Sequence, residues 1–305
     1  MTPVFKTLTL ASVLACASYA QAAVSFDANL ELDTTHKNKI SAPNTNARAG
    51  GIDMGGRVEV NAGAKQANGG AYVTARASLL LQKSGGAATD DMWVQFGNSA
   101  ADVKLGRFEA MDLFPLGKDT VIADDNGIYT GYRANNLRGR FGSGIFHGAL
   151  GVNAGSAMRF ELGLVETKDT GAAKGIRPAV TFNAGALTVR GGFESVKVNG
   201  VSGSKTGMGL SAGFALSKDA SVNVNYAKKK DDKSFGVNAT IGAAGVGLIQ
   251  SNGAGALKST ILYAAYSLPL MGVQGATITP AISYAKVPAG MDDQLSLRVR
   301  INYAF

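Results

Sequence analysis

Apolar and polar residues alternate along most of the chain. From Leu295 to Phe305 every second residue is apolar, and the residues between them are Ser, Arg, Asn and Ala. The same alternation runs from Val24 to Asp33. Seven further runs lie at 75–81, 160–164, 187–193, 208–216, 222–226, 235–241 and 278–284. A period of two residues predicts β-strands with one apolar and one polar face, so the chain is predicted to be all-β.

The polar faces of these strands indicate what the two sides of the sheet contact. Arg, Asp, Glu or Asn occupies the polar phase of nearly every run. Such a face suits a water-filled interior, whereas the uninterrupted apolar face suits lipid. In lipid every backbone polar group must be paired, so a sheet can cross a membrane only by closing on itself. The pattern therefore predicts a transmembrane antiparallel β-barrel.

The breaks in the alternation give the number of strands. Eight long polar gaps and seven shorter or glycine-marked breaks predict sixteen strands. Residues 135–154 can also be divided at 142–144, which would give seventeen strands. An even number, with both termini on the periplasmic side, favours one long, kinked strand there. Residues 23–305 are then predicted to form a single barrel domain.

The N-terminal segment has the composition of a secretory signal peptide. Residues 1–22 carry one lysine and an apolar stretch, and they end with small residues at Ala20 and Ala22. A lipidated N-terminus at Cys16 is a rival interpretation, but Leu14 fits that cleavage pattern poorly. Removing residues 1–22 also removes the one cysteine, which leaves no thiol or disulfide chemistry. We expect an exported protein of the cell outer membrane.

Composition and charge agree with a barrel. Only 17% of the 305 residues are charged and 40 are glycine, which differs from a typical soluble domain. Low charge is expected because half of the strand positions face lipid. The net charge is +8, of which Lys6 in the signal peptide contributes one. The excess of positive charge indicates anionic solutes and anionic lipopolysaccharide as partners. Nucleic acid is excluded, because an exported chain without a Lys/Arg-rich helix has no element that reads it.

The longest connection, Glu109 to Tyr132, follows the predicted fifth strand and is unusually apolar. It contains Leu113, Phe114 and Leu116, whereas exposed loops are normally small and polar. We therefore expect this loop to pack against another part of the protein.

The flanks of this loop resemble the general-porin family of Gram-negative outer membranes, especially beta-proteobacterial members. In that family a strand ending in Leu-Gly-Arg precedes an inward-folded third loop, and here Leu105-Gly106-Arg107 precedes Glu109. An Arg-x-x-Asn-Ser-(Ile/Val)-Arg-Tyr pattern often follows the loop. The segment 133–139 is similar, with Asn136 for Ser and Gly139 for Tyr. The resemblance implies a sixteen-stranded channel with an inward third loop, assembled as a homotrimer.

The last strand is similar to the insertion signal of outer-membrane barrels. It ends on Phe305, with Tyr303 two residues before it. The resemblance implies that the barrel assembly machinery is a partner and that Tyr303 and Phe305 carry the signal.

The same resemblance implies a pore constriction with opposed charges. Its acidic residues would be Glu109, Asp112, Asp119, Asp124 and Asp125, and its basic residues would be Arg107, Arg133, Arg138 and Arg140. Arg138 and Arg140 are two apart on the predicted strand and would face the lumen together. Low-dielectric walls there would focus their field on passing ions. A lumen rich in arginine also predicts a preference for anions. Further arginines on the polar phase of their runs, opposed by fewer acids such as Glu59, Glu161 and Glu194, are Arg57, Arg76, Arg159, Arg177, Arg190, Arg298 and Arg300. Alternatively, the arginines pair with the loop carboxylates and hold the loop in place.

Two other channel or barrel functions remain open. A series of aromatic faces along which sugar rings slide would make a carbohydrate-selective channel; its residues would be Trp93, Phe108, Phe114, Tyr129 and Tyr132. Residues 90–97 and the apolar loop loosely resemble sugar-porin sequences, although barrel aromatics more often lie at the membrane interface. A structural or adhesin barrel is a more distant alternative.

Catalysis is not predicted. His36 and His147 are the two histidines, and no Ser lies in a nucleophile motif. We expect no cofactor, apart from room for a structural divalent cation at the loop carboxylates.

Overall fold

The computed structural model describes residues 23–38, 50–123, 131–167, 173–253, 258–288 and 292–305. Its strands are β1 (Ala23–Lys37), β2 (Gly51–Asn68), β3 (Ala71–Gln82), β4 (Ala87–Gly97), β5 (Ala101–Arg107), β6 (Ile145–Ala154), β7 (Met158–Thr167), β8 (Ala173–Ala184), β9 (Leu187–Val198), β10 (Lys205–Ser217), β11 (Ala220–Lys229), β12 (Asp232–Ile241), β13 (Ala244–Asn252), β14 (Lys258–Tyr266), β15 (Leu268–Pro269), β16 (Ala276–Lys286) and β17 (Gln294–Ala304). Among the described residues, no helix is long and apolar enough to cross a membrane.

The strands form one closed antiparallel ring. Apart from β14 and β15, each strand pairs with its neighbour in the sequence, and β17 pairs with β1 to close the sheet. The short β15 follows β14 along the same edge of β16, so the two form one barrel strand interrupted at Ser267. The predicted sixteen-stranded barrel is confirmed.

The sixth strand differs from the prediction. It begins at Ile145, so the prediction of one long strand over 135–154 was wrong. Ala134 and Arg140 have positive φ angles of 56° and 58°, which turn the backbone out of the extended conformation. A single bridge between Glu109 and Gly139 is the one strand-like pairing of residues 131–144. Arg138 and Arg140 therefore do not share a strand face.

Side chains alternate between the two sides of the barrel wall, as the period of two predicts. In β7, Phe160, Leu162 and Leu164 are exposed on the outer face. Glu161, between them, points inward and accepts a hydrogen bond from Met111 N, which lies inside the barrel. The same alternation in the neighbouring strands gives an apolar outer surface and a polar inner surface.

The two ends of the barrel differ in the length of their connections. The first strand begins and the last strand ends at the end of the barrel that has short turns, such as 69–70 and 218–219. The other end carries the longer connections, the longest of which spans 108–144. Short turns are periplasmic and long loops extracellular in outer-membrane barrels. At the short end, Phe305 exchanges backbone hydrogen bonds with Ala28 of β1.

Candidate functional site

The described part of the connection between β5 and β6 lies inside the barrel. We call its described residues, 108–123 and 131–144, the inner segment. Its apolar side chains are buried or partly buried, with Phe108 only 1% and Phe114 only 3% exposed. They pack on small or apolar residues of the inner wall; the resulting cluster comprises Leu113, Phe114, Ala123, Tyr132 and Ala134 of the segment and Ala179, Ala227, Ile249, Ile261, Tyr263 and Ala285 of the strands. The apolar composition of the loop thus comes from packing against the wall.

Polar side chains of distant strands also hold the first half of the inner segment. The carbonyl of Pro115 accepts hydrogen bonds from Asn225 Nδ2 of β11 at 2.7 Å and Asn238 Nδ2 of β12 at 2.8 Å. Further along, Ala123 N donates to Ser283 Oγ of β16 at 2.9 Å. These contacts stretch the segment across the lumen, from the wall at β5 to the wall at β16.

A buried carboxylate on β9 binds the second half of the segment. Glu194 accepts hydrogen bonds from the Tyr132 hydroxyl at 2.7 Å, Leu137 N at 2.9 Å and Asn136 N at 3.1 Å. Burial raises the pKa of Tyr132, and the hydrogen bond to Glu194 raises it further. The Tyr132 hydroxyl therefore stays protonated and remains a donor to Glu194.

Arg177 of β8 joins the two halves of the segment. Its side chain is 1% exposed, and its Nη2 donates to the carbonyls of Met111 at 2.8 Å and Ala134 at 3.2 Å. Its Nε lies 3.8 Å from Glu194 Oε2, so the two buried charges compensate each other without a direct hydrogen bond. Arg177 and Glu194 together form what we call the buried anchor.

Asp119 fixes the segment to the opposite side of the barrel. Its carboxylate accepts from Arg298 Nη2 at 2.9 Å and from Arg300 Nη1 at 3.2 Å, both on β17. Arg300 also donates twice to Asp33 of β1, each time at 2.7 Å. The predicted acidic residue Asp119 is thus neutralised by arginines of the wall.

Arg138, Arg107 and Arg140 have separate partners at the base of the segment. Arg138 Nη2 lies 2.9 Å from Glu109 Oε2 and 3.8 Å from Asp112 Oδ2, so it pairs within the segment. Arg107 donates to the carbonyls of Thr89 and Asp90, and also to that of Arg140. It therefore ties the base of the segment to β4.

Arg140 binds both carboxylates of Asp90 and Asp91, at 3.1 and 3.2 Å. Both aspartates belong to β4. Burial alone would lower the pKa of Arg140, but the negative charges of Glu109, Asp90 and Asp91 outweigh it and raise this pKa. The guanidinium is therefore a permanent cation at the base of the segment.

On the part of the wall that the segment does not cover, arginine side chains are more exposed to the lumen than the carboxylates that they bind. On β2 and β3, the Arg57 and Arg76 side chains are 39% and 38% exposed. Their partners Glu31, Glu59 and Asp91 are only 11%, 15% and 18% exposed. A solute that passes this wall meets guanidinium groups first. We call it the arginine wall.

A cavity lies at the extracellular side of the arginine wall. Its volume is about 540 Å³, and its lining includes Glu31, Asp33, Arg57, Lys83 and Arg300. Charged groups of both signs therefore border the open part of the lumen.

The aromatic residues predicted to contact sugars are mostly buried, so that prediction was wrong for them. Phe108, Phe114 and Tyr132 are at most 5% exposed and pack the segment against the wall. Trp93 faces inward but packs on the cluster that contains Phe108. The Lys104 ammonium covers the Trp93 ring, 3.9 Å from its centroid. Phe108, Phe114 and Tyr132 therefore offer no free face to a passing sugar, and Lys104 covers one face of Trp93.

Some predicted site residues have no described position in the structure. Asp124, Asp125 and Tyr129 lie outside the described residues. Arg133 lies in the inner segment. In the described part of the chain, no three His, Cys, Asp or Glu residues group as a metal site. A divalent cation at the loop carboxylates therefore stays a prediction.

The sequence of the chain matches the profile of a channel family over most of its length. The profile described as porin-like glycoporin RafY matches residues 15–270. The chain belongs to this family. The predicted relation to porins is confirmed, and the family and the fold are those of outer-membrane channel proteins. No curated protein sequence matches the chain significantly.

Solved porin structures show the same fold at low sequence identity. OmpTΔL8, a loop L8 deletion mutant of OmpT from Vibrio cholerae, is 13% identical with a TM-score of 0.68, and the match covers 94% of this chain and 100% of that chain. An anion-selective porin from Comamonas acidovorans is 15% identical with a TM-score of 0.67, covering 93% and 100%. A triple mutant of the Rhodopseudomonas blastica porin is 14% identical with a TM-score of 0.60, covering 93% and 100%.

Sequence reasoning missed the buried anchor. Neither Arg177 nor Glu194 is among the predicted site residues. Their positions on the inward phase of β8 and β9 were the available signal. Their partners lie 43 to 66 residues away in the sequence, and periodicity does not identify them.

Proposed function

We propose that this porin lets small hydrophilic solutes and ions diffuse passively through its lumen, with a preference for anions. The arginine wall is the observation that carries the proposal. On that wall the guanidinium groups of Arg57 and Arg76 are more than twice as exposed as the carboxylates beneath them. The exposed carboxylates of Glu109, Asp112 and Asp119 belong to the inner segment.

Charges on the wall act strongly on a passing ion. A water-filled passage with low-dielectric walls focuses their field and raises the local concentration of counter-ions. Anions are stabilised beside Arg57 and Arg76, whereas the carboxylates of Glu109, Asp112 and Asp119 already bind arginines. The anion selectivity named for the Comamonas porin agrees with this proposal but belongs to that protein.

A reversal potential under a KCl gradient in a planar bilayer tests the proposal. We expect the wild-type channel to favour chloride, and the double variant Arg57→Gln and Arg76→Gln to have a lower chloride-to-potassium permeability ratio. Lys174→Gln is the control, because it removes a positive charge from the outer surface of β8. A cation-selective wild-type channel, or equal ratios in wild type and double variant, would refute the anion preference.

The family profile supports a second candidate, a channel that facilitates sugar diffusion. Its description names a glycoporin, although the buried aromatic rings provide no sugar-stacking surface. If the second candidate is correct, maltose or sucrose should reduce the small-ion current in a concentration-dependent way. Swelling rates of reconstituted vesicles that depend only on solute mass would contradict it. Absence of stepwise conductance would instead favour a structural barrel over both channel proposals.

A further inference from the structure

Arg190 of β9 is a charged residue of the inner wall without a counter-charge. It is partly exposed and lies on the inward phase of the strand, because Glu194, four residues further along, is buried inside the barrel, whereas Phe193 is exposed outside. In the part of the chain that the structure describes, its guanidinium makes no ion pair and no hydrogen bond. Arg76 and Arg159 on other strands, in contrast, each bind carboxylates. The donors of Arg190 are therefore free.

The inward neighbours of Arg190 are uncharged. Its cross-strand partners are Thr181 of β8 and Ser211 of β10. Side chains directly opposite each other on neighbouring strands have Cβ atoms about 5 Å apart. Glu194 is four residues away, about 13 Å along the strand, and it already binds the inner segment. Glu161 of β7 lies two strands away and also binds the inner segment. None of these groups neutralises Arg190.

A hydroxyl group beside Arg190 is also unpaired. Ser211 is only 2% exposed, and its Oγ has no hydrogen-bond partner among the described residues. Buried polar groups in proteins are normally hydrogen-bonded. A serine hydroxyl can donate to an anion, and an arginine guanidinium offers five N–H groups in a planar fork. A positive charge and an unpaired donor thus lie side by side on the inner wall.

Arg190 lies between the inner segment and the periplasmic end of the barrel. On the same strand, Gly192 lies under the segment, because a methyl group on it would be 2.9 Å from Leu113 Cδ1. Arg190 is two residues nearer than Gly192 to the turn at 185–186, which belongs to the end with short, periplasmic turns. A solute that has passed the segment from outside therefore enters the part of the lumen that contains Arg190.

We propose that Arg190 and Ser211 bind a small oxyanion, such as phosphate or a carboxylate, on the periplasmic side of the inner segment. Charge-assisted hydrogen bonds are stronger than neutral ones, and the fork of an arginine matches the geometry of carboxylate and phosphate oxygens. This site is separate from the arginine wall of β2 and β3. The inference rests on the proposed function, because only a channel that admits anions brings an anion to Arg190.

Block of the chloride current by phosphate tests this proposal. Single-channel conductance of the wild-type protein and of Arg190→Gln would be measured at constant KCl with increasing inorganic phosphate. Phosphate bound in the lumen obstructs chloride, so the wild-type conductance should fall and then level off. We expect Arg190→Gln to need at least about tenfold more phosphate for half of this decrease. Lys197→Gln is the matched control, because Lys197 is exposed on the outward phase of the same strand.

Two further variants separate the charge from the shape of the site. Ser211→Ala should raise the half-maximal phosphate concentration by less, about threefold, because it removes one neutral donor. Cys16 is the one cysteine of the sequence and lies in the predicted signal peptide, so Arg190→Cys can be modified selectively. A thiol reagent that adds an aminoethyl group should restore part of the phosphate sensitivity, whereas one that adds a sulfonatoethyl group should not.

The outcomes distinguish this inference from the proposed function. A wild-type channel that is cation-selective in a KCl gradient would refute both. An anion-selective wild-type channel that phosphate does not block, or whose sensitivity to phosphate equals that of Arg190→Gln, overturns the Arg190 site alone. The heat-dependent shift of the barrel band in gel electrophoresis confirms that each variant is folded.

Discussion

The buried anchor is expected to keep the inner segment in place, and Glu194→Gln is the sharpest perturbation of it. Glutamine keeps the shape of the side chain but removes the charge opposite Arg177, which is 1% exposed. Tyr132 and Asn136 donate to Oε1, whereas Leu137 N donates to Oε2. In glutamine one oxygen becomes an amide nitrogen that cannot accept, so the donors at that position lose their bond, and those at the other position meet a neutral acceptor in place of a charged one.

The magnitude follows from the burial of the pair. Breaking a buried ion pair by removing one partner costs about 3–5 kcal/mol. We use the lower value, because Arg177 Nε and Glu194 Oε2 are 3.8 Å apart. A loss of about 3 kcal/mol lowers the ratio of docked to undocked segment roughly 100-fold. The sixteen strands should hold the barrel closed, because their backbone hydrogen bonds do not involve this carboxylate.

Single-channel recording in planar bilayers measures this effect. We expect Glu194→Gln to show larger and more frequent conductance fluctuations than wild type, since the segment leaves the wall more often. Glu166→Gln is the matched control, because Glu166 makes one exposed ion pair with Lys174 on the outer surface. A folded Glu194→Gln channel whose fluctuations match both wild type and the control would refute the anchoring role.

Three further changes test other contacts of the segment. Asp119→Asn should increase conductance fluctuations less than Glu194→Gln does, because the Asp119 side chain is 45% exposed and its ion pairs contribute at most about 1 kcal/mol; an equal or larger increase contradicts this. His147→Phe should leave the urea midpoint of unfolding unchanged or raise it. His147 is 3% exposed, and neither ring nitrogen has a hydrogen-bond partner among the residues that the structure describes, so a clear decrease in the midpoint contradicts this expectation. Gly209→Val should change the single-channel conductance, because its side chain would overlap Leu113 of the segment; wild-type conductance would show that the segment does not pack there.

The fold could be predicted from the sequence because a barrel strand repeats one local rule. Lipid on one side and water on the other impose the period of two on every strand, without reference to distant residues. The sixth strand shows the limit of this rule. Residues 135–141 contain both polar and apolar positions and were compatible with a strand. Their conformation is instead fixed by Arg177 and Glu194, which periodicity does not connect to them.

The site was predicted by residue type but not by pairing. The expected constriction residues Asp119, Arg138 and Arg140 are charged groups beside the lumen, yet each is bound to a specific partner. The choice between an ion-attracting role and a structural role depends on exposure, which a single sequence does not give. The prediction that the aromatic residues contact sugars was wrong for a related reason. Phe108 and Phe114 are as compatible with a packed interface as with a sugar surface, and burial distinguishes the two.

The glycine content has a cause beyond turns. Several glycines on the inner faces of β9, β10 and β12 lie directly under the inner segment. A methyl group on Gly236 would lie 2.9 Å from Phe114 Cζ, and one on Gly209 would lie 2.9 Å from Leu113 Cβ. Real Cβ atoms do not approach so closely, so larger residues would push the segment into the lumen.

The wall and the segment are therefore complementary in shape, although about a hundred residues separate their contacting residues in the sequence. Apolar residues of the segment need a surface without side chains, and the inward phase of these strands supplies glycine or alanine at the points of contact. An inward position that carries glycine in a barrel strand costs stability within the strand. Glycine at such a position allows the inner segment to approach the strand closely. Small residues on the polar phase, opposite a long apolar loop, thus indicate from sequence alone which strands such a loop covers.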